Sequence, residues 1–375
     1  MSDADAPSPG PAVRVHAPGR VNLIGDHTDY VGGLALPMAI DLGTTLVGRR
    51  LPDRLRLSSE DRGGTVDLAL PHPRSPDDRT AGTDLTDRLA GAGPGEPTDE
   101  GSWGAYAAAV VAEVGRGGPL VGFEGRISTT LPIGAGLSSS AALEVAIALA
   151  VTTEPPRTDR ARLALAEACQ EAEQRASGVP CGLMDQLCSV AGIAGHALLV
   201  DFRARTWVPV PVPHDVDVVV VHSGQPRRLA TSGYGQRRDE LARAEAVVGP
   251  LRDAGTADLT SLADPVVRAR ARHVVAENER VVACAAELAA GDLRAAGARL
   301  VESHASLRDD FAVSTPVVDQ LVERLVATPG VYGARMVGGG FGGCVVALAE
   351  PGALSEGWTV RAAGGATVTV GGSST

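Results

Sequence analysis

Residues Leu131 to Ala146, "LPIGAGLSSSAALEVA", most narrow what this chain can become: two glycines, three consecutive serines, then an apolar run with helical character from Leu137 through Leu149. A helix that opens this way leaves unpaired N–H groups and a partial positive charge at its N-terminus, and both attract anions. Gly134 and Gly136, either side of Ala135, let the backbone approach a ligand closely. The hydroxyls of Ser138, Ser139 and Ser140 can bond phosphate oxygens or ligate a hard cation such as magnesium. A serine cap behind a glycine turn explains one of these hydroxyls well and three poorly. The stretch reads first as a phosphate cradle, and not as a Walker loop: all 34 basic residues are arginine, so G-K-[ST] cannot occur.

A chain of 375 residues with 44% hydrophobic content can bury a sizeable core, in two domains or one large one. Its net charge of −11 opposes a broad electrostatic hold on nucleic acid. Cys169, Cys181, Cys188, Cys284 and Cys344 are odd in number and lack C-x-x-C spacing, which argues against a disulfide framework or a thiolate zinc site and for a reducing compartment. The opening "MSDADAPSPGPA" has neither a basic nor an apolar leader region, and no stretch approaches the roughly 18 apolar residues of a membrane span. A cytoplasmic protein with no membrane partner is expected.

Residues 1–11 are polar and Pro-rich and expected to be disordered, as is the final "GGSST"; residues 71–101 read as a surface excursion. "RVHAPGRVNLIG" and "LPMAIDLGTTLVGRR" look like short strands broken by turns. Thr158 or Asp159 can cap a helix running to about Ser177, stopped by Gly178 and Pro180, and "GLMDQLCSVAG" suits a shorter one. A change of domain is placed near His214, giving domains 12–213 and 214–370. Helices are expected over 232–248, 265–290 and 292–311, and another opens at "STPVVDQLVERL" with Ser314 or Thr315 as cap and Pro316 first. "YGARMV" and "CVVALAE" read as strands around the glycine run 338–343. That run satisfies G-x-G-x-x-G but precedes a strand instead of a helix, so it fails as a dinucleotide fingerprint.

Two further segments carry polar groups at close spacing. In "PGRVNLIGDHTDYVGG", Asp26, His27 and Asp29 fall within four positions, framed by apolar residues. Such a turn supplies the acceptors that sugar hydroxyls need, whereas a metal would want another ligand at proper spacing. In "EAEQRASGVPCGLMDQ", Glu173 ends one helix and Asp185 begins another. One carboxylate can complete a magnesium shell with a serine while the other faces an acceptor hydroxyl.

Together these segments resemble the GHMP family of small-molecule kinases, in its galactose-phosphorylating branch. "GRVNLIGDHTDY", "LPIGAGLSSSAALEVA", "GLMDQ" and "GGGFGGC" are similar to the family's motifs, in the family's order, and the likeness continues through "GYGQRRDE", "ENERVVACAAELAAGDL" and "ESHASLRDDFAVSTP". The resemblance implies an α+β fold of two domains. The first carries a mixed sheet and the phosphate loop, the second is also α+β, and the active site lies in the cleft between them. It implies transfer of the γ-phosphoryl group of Mg-ATP to the anomeric hydroxyl of α-D-galactose, with Arg20 and Asp185 as the catalytic pair. Asp26, His27, Thr28, Asp29 and Tyr234 would line the sugar pocket. Gly134, Ala135, Gly136, Leu137, Ser138, Ser139 and Ser140 would hold ATP, and Ser140 and Glu173 would ligate Mg2+. The chain departs from the family at Asp26, where Glu is usual. A sister kinase for N-acetylgalactosamine or arabinose is the nearest alternative. A non-catalytic, sugar-responsive regulator is a lesser one, because "SSSAA", Arg20 and Asp185 are all intact. A monomer or weak homo-oligomer is expected.

Overall fold

The two long segments near the start of the chain are rich in β-branched residues and pair with one another, making strands β1 (Ala12–Asn22) and β3 (Pro37–Leu51), with the two-residue β2 (Leu34–Ala35) between them. They are not short strands broken by turns: β1 and β3 run antiparallel over nearly their full length, interrupted only by a bulge between Pro18 and Arg20. A computed structural model describes residues 11–61, 63–70, 103–132, 136–226 and 233–371. The excursion expected over 71–101, the first ten residues and the last four lie outside them.

The chain continues through β4 (Arg54–Ser59), β5 (Thr65–Ala69), α1 (Trp103–Gly117), β6 (Gly122–Thr129), α2 (Ser139–Val151), α3 (Asp159–Ser177) and α4 (Met184–Ala191). Next come β7 (His196–Asp201), β8 (Thr206–Pro211), β9 (Asp217–His222), α5 (Tyr234–Val248), α6 (Pro265–Ala289), α7 (Leu293–Asp309) and α8 (Pro316–Val326). The last described strands are β10 (Val331–Met336), β11 (Cys344–Ala349), β12 (Trp358–Val360) and β13 (Thr367–Val370). A six-stranded sheet has the order β13-β1-β3-β6-β4-β5 and is mixed, since β4 runs parallel to β6 while the other pairs are antiparallel. A four-stranded sheet, β10-β11-β9-β12, belongs to the second half, and a small sheet β2-β7-β8 completes the set. This is the expected α+β architecture.

Helix ends follow the local chemistry. Thr158 caps α3 by accepting from the Ala161 amide at 3.2 Å, and Gly178 closes it in the left-handed conformation. Thr315 caps α8, with Pro316 at its first position. α2 is apolar on nearly every side and is accordingly buried within the first half, packed against β1, β3 and the neighbouring helices. α1 was not read from the sequence.

The hydrophobic interior forms three clusters. One lies under the six-stranded sheet among α1–α4, and another under the second half's sheet among α5, α6, α7 and α8. The remaining cluster is shared, joining Val21, Leu36 and Met38 to Val218, Leu300 and Val346. Nor does the chain stay in its second half to the end: β13 returns to pair with β1, placing Val370 opposite Val13. No helix among the described residues is long and apolar enough to cross a membrane.

Candidate active site

Arg20 and Asp185 meet because the first half packs three backbones closely. The bulge in β1 falls at Gly19, where a Cβ would come within 2.5 Å of the Leu137 carbonyl oxygen and of Leu131, so only glycine admits the serine loop there. The Arg20 amide donates to the Leu137 carbonyl at 3.2 Å, and Ser189 of α4 donates to the Pro18 carbonyl at 2.7 Å. Strand, loop and helix are thereby pinned together. Arg20 Nε donates to Asp185 Oδ1 at 2.8 Å and Nη2 to Oδ2 at 2.7 Å, a bidentate pair that fixes the carboxylate plane. Its remaining arm, Nη1, donates to the Gly136 carbonyl at 2.8 Å. Burial works against the charge on Arg20, but Asp185 and Asp26 outweigh it and hold the guanidinium above its ordinary pKa.

The serines do not behave as helix caps. Ser138 occupies the N-cap position of α2 with a left-handed φ of 59° and makes no side-chain capping bond; its hydroxyl donates to Asp185 Oδ2 at 2.5 Å. Ser140 Oγ donates to Glu173 Oε1 at 2.7 Å, and Ser139 lines the cleft between them. Leu137 contributes its carbonyl while its side chain is core. Gly134 and Ala135 lie outside the described residues.

Behind Glu173 stands a buried second acid. Gln186 bridges the two, donating to Glu144 Oε2 at 3.0 Å and to Glu173 Oε2. Burial, then the charge of Glu173, pushes the Glu144 carboxyl far above its usual range; burial, then Asp185, raises Glu173. Among the described residues no group of three or more His, Cys, Asp or Glu side chains is arranged to hold a metal. Ser140 and Glu173 instead bring one hydroxyl and one carboxylate to the same spot, which suits an ion that takes its other ligands from phosphate and water.

The predicted sugar residues lie on the other wall. Asp26, His27, Asp29 and Tyr234 line one cleft of about 300 Å³ together with Arg20, Asp185 and the serines. His27 takes a φ of 66°, uncommon for a residue with a side chain, and its Nδ1 lies 3.0 Å from the Tyr30 hydroxyl. Its ring centroid is 5.5 Å from that of Tyr234 at the start of α5. Asp29 comes so near Gly182 that a Cβ there would overlap its Oδ2 at 1.6 Å. Burial, reinforced by Asp185 and Asp26, pushes the Asp29 carboxyl up to about 7. Thr28 stands apart. It is fully buried, and its hydroxyl is within hydrogen-bond distance of the carbonyls of Gly25, at 2.9 Å, and Leu34, at 2.7 Å, so it shapes the turn from within.

That turn is also fastened by α6. Glu277 accepts from the Gly25 amide at 3.0 Å and from Ser303 at 2.6 Å, Asn278 accepts from the Leu34 amide at 2.8 Å, and His273 Nε2 lies 3.2 Å from the Asp26 carbonyl. Sequence reasoning did not assign these residues a role. It also missed a second hollow of about 210 Å³ that adjoins the cleft at Tyr106, Ser139 and Ser140 and is walled by Trp103, Ile127 and Leu143.

A cleft that sets a helix N-terminus and a carboxylate–guanidinium pair against a polar hollow defines a small-molecule kinase, and two sequence matches give its class. The GHMP kinases N-terminal domain matches residues 104–193 and the GHMP kinases C-terminal domain residues 284–358. The galactokinase galactose-binding signature matches residues 6–50. Over 350 residues the chain is 43% identical to the galactokinase of Homo sapiens, covering 91% of this chain and 84% of that one. It is 42% identical over 356 residues to that of Canis lupus familiaris, covering 92% and 86%. The chain belongs to the galactokinase family. Its fold matches the structure of Lactococcus lactis galactokinase complexed with galactose, with a TM-score of 0.80, 28% identity and 95% coverage of both chains.

Proposed function

We propose that this cleft transfers the γ-phosphoryl group of ATP to the anomeric hydroxyl of α-D-galactose. The observation that carries the reading is the Asp185 carboxylate, held by Nε and Nη2 of Arg20 and by Ser138 at the mouth of α2, facing the acceptor turn of Asp26, His27 and Asp29. The sugar lies on that turn with its anomeric oxygen at Asp185, and Tyr234 closes the pocket. The triphosphate lies along residues 134–140, and the base enters the mixed hollow beside Trp103 and Tyr106, whose lining also includes Asp61 and Thr129. The anomeric oxygen bonds to the γ-phosphorus, the bond from that phosphorus to the bridging oxygen breaks, and ADP leaves. Asp185 takes the hydroxyl proton. Phosphoryl transfer passes through a loose transition state, so orientation by Asp185 and charge compensation by Arg20 supply most of the rate. Ser140 and Glu173 hold Mg2+, which when bound neutralises charge on the phosphate oxygens.

The remaining elements of the reading are a division of the chain near residue 214 with β13 returned to the first half, a cytoplasmic location, and a monomer or weak homo-oligomer. ADP release measured with galactose, glucose, N-acetylgalactosamine, arabinose and mevalonate tests the function. Turnover led by galactose is expected. Turnover led by another sugar replaces the substrate, and no turnover with any of them leaves a regulator.

A further inference from the structure

We propose that Arg335 is a positioning residue for the sugar: it fixes the carboxylate of Asp26 in one orientation and so sets the affinity for galactose without touching it. The inference rests on the reading of Asp26 as a sugar acceptor. Arg335 lies on β10, in the second half, and is the largest fully buried side chain of the protein's described residues. Its Nη2 donates to Asp26 Oδ2, and its Nη1 donates to the Leu23 carbonyl at 3.1 Å. The other carboxylate oxygen, Oδ1, accepts from the Gly338 amide at 3.2 Å. Two contacts from one side of the cleft therefore use part of the carboxylate's acceptor capacity, and Asp26 presents the rest to the pocket it lines.

The arrangement is specific to arginine. One planar fork spans a carboxylate and a backbone carbonyl at once, which a single ammonium on a flexible stem does less well. Asp26 also stands near Asp29 and Arg20, and its carbonyl meets His273, so a carboxylate freed from Arg335 would be buried with a like charge close by. It would turn toward Arg20, which removes an acceptor from the sugar. The reacting groups Asp185 and Ser138 are bonded to neither Arg335 nor Gly338 in the described contacts, so the effect falls on sugar binding.

The test is a cycle of R335M, D26N and the double variant, with R335K as the conservative replacement and KM for both substrates measured beside kcat. R335M is expected to raise KM for galactose about tenfold or more while kcat and KM for ATP change by no more than about twofold, with R335K recovering only part of the loss. In the D26N background, R335M should add nothing further. The double variant removes both buried charges together and so carries the test if R335M alone does not fold. An unchanged KM for galactose in R335M beside a raised one in D26N overturns the role of Arg335 and leaves Asp26 in place. The same holds if R335M adds its full effect on top of D26N. If neither substitution moves KM for galactose, the acceptor role of Asp26 falls with it.

Discussion

The two walls of the cleft are built differently. The phosphate wall takes Arg20 from β1, Ser138 and Ser140 from the start of α2, Glu173 from α3 and Asp185 from α4, all from the first half. The sugar wall is a turn of the first half that the second half holds, through Glu277, Asn278 and His273 on α6 and Arg335 on β10, with Tyr234 supplied by α5. In the proposed function the reacting groups therefore share one half of the chain, while substrate grip depends on how the halves are joined. Changes on the first wall should therefore reach kcat, and changes on the second should reach KM for the sugar.

The sharpest way to break that contrast is D185N. It should lower kcat by about three orders of magnitude or more while calorimetry shows galactose and ATP still binding. Near-normal turnover would remove Asp185 from the chemistry. Next in size, E173Q should raise the Mg2+ concentration needed for half-maximal rate by about 10- to 100-fold with little change in KM for galactose, and chelation should abolish turnover of the unaltered enzyme.

A smaller effect belongs to the sugar wall. With Asp29 titrating at about 7, KM for galactose should rise several-fold as pH falls through that value, because a protonated carboxyl accepts fewer hydrogen bonds; the dependence should vanish in D29N. The sign for stability is opposite to that of a salt-bridged acid. Between the unfolded value of 3.8 and about 7 the folded chain holds the extra proton, so Asp29 makes stability fall as pH rises through that window. Denaturant titrations across it should show a flatter slope for D29N. Smallest of all, T315A should cost about 1 kcal/mol through the lost cap of α8 together with the bond that the Thr315 hydroxyl donates to Gln225 Oε1 at 2.8 Å, and leave both KM values and kcat where they were.

What could be read from the sequence was local. The serine run, the GLMDQ segment and the D-H-T-D turn each place several polar groups within a few residues, and all but Thr28, Gly134 and Ala135 among the expected site residues line the cleft or bond to residues that do. Thr28 looked like a pocket residue because its neighbours are, but a threonine in a turn satisfies its hydroxyl on nearby carbonyls first. Arg335 could not be found this way. It meets Asp26 across 309 positions, and nothing in "YGARMV" distinguishes a buried arginine from an exposed one. His273, Glu277 and Asn278 were equally silent, since on α6 they look like the polar face of an ordinary helix. α1 escaped notice because it follows the Pro- and Gly-rich stretch 71–101, which drew the reading toward a loop.

The pairing of β13 with β1 reaches beyond the finished molecule. A ribosome releases β1 well before β13, so until β13 emerges the amides and carbonyls of Val13–His16 stand unpaired on one flank of the largest sheet. Once Thr367–Val370 emerges, the short β13 takes over as the outer strand of that sheet, so the longer β1 no longer offers Val13–His16 to other chains.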